Sequence, residues 1–206
     1  RAELVLKGQK LVTNLLQNPK LLKTATATDN VGEFAGFERL YVATLYADLA
    51  SSAEAPDEVI ASAWNQAAEI GKSYHISPSN SGPALRYLIV LVAAKRFEEA
   101  NLVAEKMLKV NRDNIDVKRR KMKILLALKD PKAAITIGEE ILTKAEGRNE
   151  FWVAESLSKA YLAHDQKTEA RKLLMAYLNR PELLSDKMKS SRKSFEDLLK
   201  ETDAKN

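Results

Sequence analysis

Cysteine is absent from the 206 residues, which removes disulfides, thiolate metal sites and cysteine nucleophiles. A helical protein with a good core needs no disulfide in any compartment, so this absence carries no signal about location. Glycine and proline are scarce, at 7 and 6 residues, and so little punctuation favours long helices over many short strands. Aromatic residues make up 6%, too few to stack a succession of bases, which argues against nucleic acid as the partner. No run approaches the roughly 18 apolar residues of a membrane span. The apolar stretch from Tyr87 to Ala94 is far shorter and reads as a buried helix. The chain begins with Arg1 and carries no signal-peptide pattern, which leads to the expectation of a processed chain or a piece of a longer one.

What is present is helix-forming and unevenly charged. Alanine, leucine, lysine and glutamate dominate, and all are good helix formers. The hydrophobic fraction of 45% and charged fraction of 30% are those of an ordinary folded protein rather than a disordered one. The formal charge is +5, but residues 1–110 carry 12 basic and 12 acidic side chains, whereas residues 111–206 carry 21 and 16. The whole excess lies in the second half, a mild bias toward acidic partners.

The strongest pattern is a spacing. Phe97-Glu98-Glu99-Ala100, Pro131-Lys132-Ala133-Ala134 and Lys167-Thr168-Glu169-Ala170 share one register, with the alanines 34 and then 36 residues apart. Each alanine is preceded and followed by an amphipathic helical run. A small residue at this interval inside helix pairs marks a helical solenoid whose paired helices pack too closely for a larger side chain.

The periodicity predicts a first helix over 2–17, stopped by Asn18-Pro19, and then a polar loop from Thr24 to Gly32,. That break separates an N-terminal region, 1–33, from a repeat domain, 34–206. Helix pairs are expected near 34–75, 81–110, 115–145 and 150–180, with a capping helix over 185–200. In the first pair, Phe37, Leu40, Tyr41, Thr44, Leu45 and Leu49 form one broad face, and Trp64 is expected in the core. A loop is expected over 77–82. Asp130 before Pro131 predicts an N-cap with proline at the first helical position, and Asn149 and Asp165 offer similar caps. Met188, Phe195, Leu198 and Leu199 give the capping helix its apolar face.

These residues together resemble the tetratricopeptide repeat (TPR) superfamily, strongly over 81–181 and more weakly over 34–75. The third clear pair matches through Leu157, Ser158, Tyr161, Ala170, Tyr177 and Pro181. The first supplies Leu88, Leu91, Phe97, Ala100 and Met107, and the second Met122, Leu125, Ala134 and Ile141. Leu88 and Met122 stand where the family has a small residue, so looser or shifted packing is expected there. The resemblance implies an all-α, right-handed superhelix of three to four helix pairs, with an N-terminal helix and a C-terminal cap. It also implies a concave groove lined by the first helix of each pair, which binds a partner's peptide or helix. By register that groove carries Leu85, Arg86 and Ile89, then Arg119, Arg120 and Lys123, then Trp152, Glu155 and Lys159, with Asp116 at its edge. The lysine and asparagine of the chaperone-binding subclass are replaced by Leu85 and Ile89, so a chaperone tail is not the expected ligand.

No catalytic constellation emerges from the sequence. His75 and His164, the only histidines, each follow a predicted helix end, where imidazole complements the helix dipole. The paired acids Glu98-Glu99 and Glu139-Glu140 read as solvated helix carboxylates. No glycine-rich phosphate loop, metal-ligand spacing or cofactor motif is present. The run Lys118-Arg119-Arg120-Lys121 with Lys123 reads as an anion or acidic-peptide site, as a nuclear address or RNA contact, or as a solvated face paired with carboxylates. Trp152 either grips a ligand at the groove mouth or packs between repeats. The function expected is protein–protein interaction, as an adaptor or scaffold binding an acidic, partly apolar segment through Leu85, Arg86, Ile89, Arg119, Lys123, Trp152 and Lys159. The alternative is a helical accessory region of a larger protein whose catalysis lies outside this chain, and self-association through exposed repeat faces is a third reading.

Overall fold

The computed structural model describes residues 2–17, 31–73, 81–185 and 188–203. The helix stop at Asn18-Pro19, the loop over 24–30, His75 and most of the expected loop over 77–82 lie outside the described residues. Among the described residues there are ten α-helices, one 3-10 turn and no strand. Cα packing divides the chain into two compact units, Arg1–Val110 and Asn111–Asn206. The second therefore coincides with the basic half of the sequence.

The first unit contains α1 (Ala2–Gln17), α2 (Val31–Ser52), α3 (Asp57–Ser73), α4 (Ser81–Ala93) and α5 (Phe97–Val110). Two starts differ from expectation: α2 begins at Val31 and α4 at Ser81, inside the expected loops. Pro83 is thus in the first turn of α4, where a missing N–H is tolerated because it would have no intrahelical acceptor. Consecutive helices pack on one another, and α2 also packs on α4. On α2 the buried positions are Leu40, Ala43, Thr44, Tyr46, Ala47 and Ala50. The Thr44 hydroxyl satisfies itself by donating to the Leu40 carbonyl at 2.6 Å. Tyr41, Leu45 and Leu49, expected on the buried face, are instead exposed at 40, 48 and 38%. Ala43, Ala47 and Ala50 of α2 and Ala63, Ala67 and Ala68 of α3 are all buried, on two helices that pack on each other, and small side chains suit a closely packed pair. Trp64 is buried, as expected, and its indole N–H donates to Ser51 Oγ at 3.2 Å. Arg96 ties α3 to α5, with Glu69 at 2.5 Å and Glu99 at 2.6 Å.

The second unit contains α6 (Ile115–Ala127), α7 (Pro131–Leu142), α8 (Gly147–Ala163), α9 (Lys167–Leu178), a 3-10 turn (Pro181–Leu184) and α10 (Lys189–Asp203). Here too each helix packs on the next, while α6 packs on α8 and α8 on α10. One core joins Met122, Leu125, Ala134, Ile141, Val153, Leu157 and Ala160. A second joins Phe151, Leu174, Tyr177, Leu183, Met188, Phe195 and Leu198. The capping helix runs over 189–203 rather than 185–200 and buries Phe195 and Leu198, while Met188, expected on its apolar face, is buried just before it begins. Arg180 closes this end: it pairs with Glu150 at 2.6 Å and lies over the rings of Phe151 and Tyr177 at 5.0 and 5.3 Å.

Ala100, Ala134 and Ala170 are all fully buried, as the repeat spacing requires. Leu88 and Met122 are also fully buried, so these large residues are taken into the interior at places where a small one was expected. The accommodation lies on the facing helix. A Cβ on Gly138 of α7 would stand 2.6 Å from Met122 Cε and 2.9 Å from Leu157 Cδ1, so the missing side chain makes room for the large ones. Gly71 does the same for Tyr87, whose Cδ2 would be 2.3 Å from an added Cβ.

Helix ends follow two rules. Asn114 and Asp130 cap α6 and α7 by accepting from the backbone N–H of Val117 and Ala133 at 3.1 Å each,. Asn149 and Asp165 do not cap. Asn149 falls inside α8, which begins two residues earlier at Gly147 with φ +56°, and Asp165 has φ +58° in the preceding turn. That turn is one of four alike. Glu54, Lys95, Lys129 and Asp165 all have φ between 53° and 60°. The following N–H reaches back five residues in each: Ala55 to Ala50, Arg96 to Leu91, Asp130 to Leu125 and Gln166 to Tyr161, at 2.8–3.0 Å. This is the left-handed helix ending that glycine usually supplies.

Two outcomes are expected in urea denaturation. Gly138→Val lowers stability by about 1–3 kcal/mol through overpacking, and Met122→Ala costs less in that background than in the wild type. Lys129→Gly raises stability by up to about 1 kcal/mol, since the left-handed conformation then carries no Cβ penalty.

Candidate partner-binding site

The expected site residues fall into two sets, one in each unit. In the first unit, Leu85, Arg86 and Ile89 are half-buried along α4. Arg86 lies over the ring of Tyr41 on α2 at 5.0 Å, so its charge is held by a cation–π contact rather than by a carboxylate.

In the second unit, α6 and α8 bring Arg119, Lys123, Trp152 and Lys159 together. The basic run divides as the helical period dictates. Lys118 turns to α7 and pairs with Glu140 at 2.5 Å, whereas Arg119, one residue on, turns to α8 and lies over the indole of Trp152 at 4.7 Å. Arg119 and Lys118 are each only 8% exposed, so neither is solvated, whereas the expected pairing with a carboxylate holds for Lys118 through Glu140. The carboxylate neighbour of Arg119, Asp116, is 3.9 Å away and half exposed, and the Arg119 Nε is buried without an acceptor among the described residues. Arg120 Nε is likewise buried and unpaired. Burial lowers the pKa of both guanidinium groups, and for Arg120 the charge of Arg119 adds to the effect.

Lys123 follows Arg119 by one helical turn. Its pKa is lowered first by desolvation and then by Arg119, Lys159 and Arg120, with Glu155 opposing. Glu155 is already engaged: it accepts from Lys159 at 2.6 Å and from the Ser194 hydroxyl of α10 at 2.9 Å. Four cations thus share two carboxylates, one of them distant and the other occupied. Trp152 is half-buried and serves as the support on which Arg119 of α6 is laid, in keeping with the reading that it packs between repeats. Ser194 is a component that sequence spacing did not flag, because it lies in the cap, 39 residues from Glu155.

Among the described residues no group of histidine, aspartate or glutamate could hold a metal ion, and no helix is long and apolar enough to cross a membrane. His164 is exposed at the C-terminus of α8, its N–H bonded to the Ala160 carbonyl. Like charges one turn apart on a helix destabilise it by about 0.2–0.5 kcal/mol. Lys123→Gln is therefore expected to raise stability by that amount in low salt, with the gain shrinking as salt screens the cluster, as thermal denaturation at two ionic strengths will show.

No protein-family model matches the chain, and no curated protein matches it in sequence. Solved structures match its fold. BtubC (BKLC) from P. vanneervenii superposes with a TM-score of 0.60 at 13% identity, covering 95% of this chain and 84% of that one. The MamA RS-1 ArsTM double mutant gives 0.52 at 16% identity, over 79% and 93%. A kinesin light chain candidate of Podosopora anserina with nearly identical TPR-like repeats gives 0.52 at 16%, over 98% and 95%. Together with the buried alanine register and the packing of paired helices, these matches identify the chain, by fold, as an all-α TPR-like helical repeat protein.

Proposed function

We propose that this chain is a protein–protein interaction module, an adaptor or scaffold that binds a peptide or helix of its partner along the first helices of its pairs. The observation that carries this reading is Arg119, a buried guanidinium braced on Trp152 with an unpaired Nε, beside Arg120, Lys123 and Lys159. A buried donor without an acceptor is unfavourable in the free protein, and an acidic group of a partner would satisfy it. Arginine offers that group a planar fork and lysine a point charge. Half-buried Leu85 and Ile89 supply apolar positions in the other unit. The exposed Tyr41, Leu45 and Leu49 of α2 are further apolar surface of the kind that protein contacts cover,. TPR-like neighbours support an interaction role over a catalytic one, and the module needs no cofactor to perform it.

The test is affinity capture with wild type beside Arg119→Glu/Lys123→Glu, followed by titration of the captured partner. Affinity is expected to fall at least about tenfold in the variant, given what truncating one side of a desolvated charge pair costs, and to weaken with salt. Unchanged affinity in a folded variant rejects the basic site. A sedimentation mass well above 23.0 kDa for the protein alone would instead favour self-association.

A further inference from the structure

We propose that the Arg119–Arg120–Lys123–Lys159 cluster is a phosphate site, which recognises a phosphorylated serine or threonine in the partner segment. The inference rests on the interaction reading above and specifies the group that the site takes.

Two adjacent arginines present buried Nε donors with no acceptor. Lys123 feels both of them and Lys159 as like charges. Of the two carboxylates nearby, Glu155 is occupied by Lys159 and Ser194, and Asp116 stands at 3.9 Å from Arg119 with half its surface in water. Four cations against two carboxylates leave an excess of two positive charges.

A side-chain carboxylate brings one charge and two oxygens in a plane, enough for one guanidinium fork. A phosphomonoester brings close to two charges and three terminal oxygens spread in three dimensions, enough for both arginines and an ammonium at once. The scaffold is set in advance. Arg119 is held by the Trp152 ring and by burial, so little side-chain freedom is lost on binding. That indole face is also taken, which removes the stacking platform a nucleic-acid base would need. A peptide is favoured over a lipid headgroup because the cluster lies along the first helices of two successive pairs, α6 and α8, with no exposed apolar residue among its members to enter a bilayer,.

The experiment uses immobilised full chain and three peptide pools with degenerate flanks around a fixed central residue: phosphoserine, glutamate or serine. Retention of the phosphoserine pool at least about tenfold above the glutamate pool is expected, with loss of that preference in Arg119→Gln/Arg120→Gln. Because buried arginines can also affect folding, the exposed Lys123→Glu provides a second variant. It should lose the same preference while its circular dichroism remains helical. Equal retention of the phosphoserine and glutamate pools overturns the phosphate assignment and leaves the acidic-segment module standing. Retention of no pool, together with a captured partner insensitive to charge reversal, overturns both. Stronger binding to phosphatidylcholine vesicles doped with phosphatidylinositol phosphate than to the phosphoserine pool overturns the peptide in favour of a membrane surface.

Discussion

The close approach of paired helices is the constraint on which the rest of this structure depends. Ala100, Ala134 and Ala170 have no solvent exposure, and each sits where a second helix meets its partner. Atoms in a protein interior pack as densely as in an organic crystal, so a helix pair drawn this near admits few combinations of side chains. Where one helix carries a large residue, the other must yield: Met122 is matched by Gly138, and Tyr87 by Gly71. The same economy governs α2, whose alanines are buried while its tyrosine and leucines are left outside.

The architecture was legible because it is written in residues that act locally. The alanine spacing, the Asp130-Pro131 start and the apolar stripe of the last helix each follow from the chain within a turn or two. What was hidden depends on a facing element. Met122 reads as a misfit until Gly138, sixteen residues away, is seen beneath it. Asp165 reads as a cap, yet the turn needs a left-handed residue there, and Gln166 occupies the capping place without a side-chain bond. Residues 41, 45 and 49 have the period of a core face, but α2 is packed against α1, α3 and α4 and buries Leu40, Ala43, Ala47 and Ala50 instead.

The candidate site was legible in part for the same reason. Register alone placed Arg119, Lys123, Trp152 and Lys159 on one face, and the structure brings them together within the second unit. It did not indicate that Lys118 and Arg119 would be buried against different neighbours of α6, because that depends on Glu140 of α7 and Trp152 of α8. Burial changes the physics of the run. Exposed cations would be screened and worth little, whereas a desolvated guanidinium with a free donor holds an unmet demand that a partner can meet. The +5 excess of the second half has a local expression here, in a cluster whose carboxylates are too few and too engaged to neutralise it.

The four left-handed turns bear on how the fold is encoded. Each is closed by main-chain bonds, and its one unusual residue is glutamate, lysine, lysine or aspartate. No particular side chain is therefore required for the chain to reverse. The helix contacts ask mainly for size, small against large, rather than for identity. Information stored as backbone geometry and volume survives replacement of almost every letter. Thus 13–16% identity coexists with a shared fold, and finding other chains of this shape becomes a problem of matching steric profiles, with the alphabet itself a poor guide.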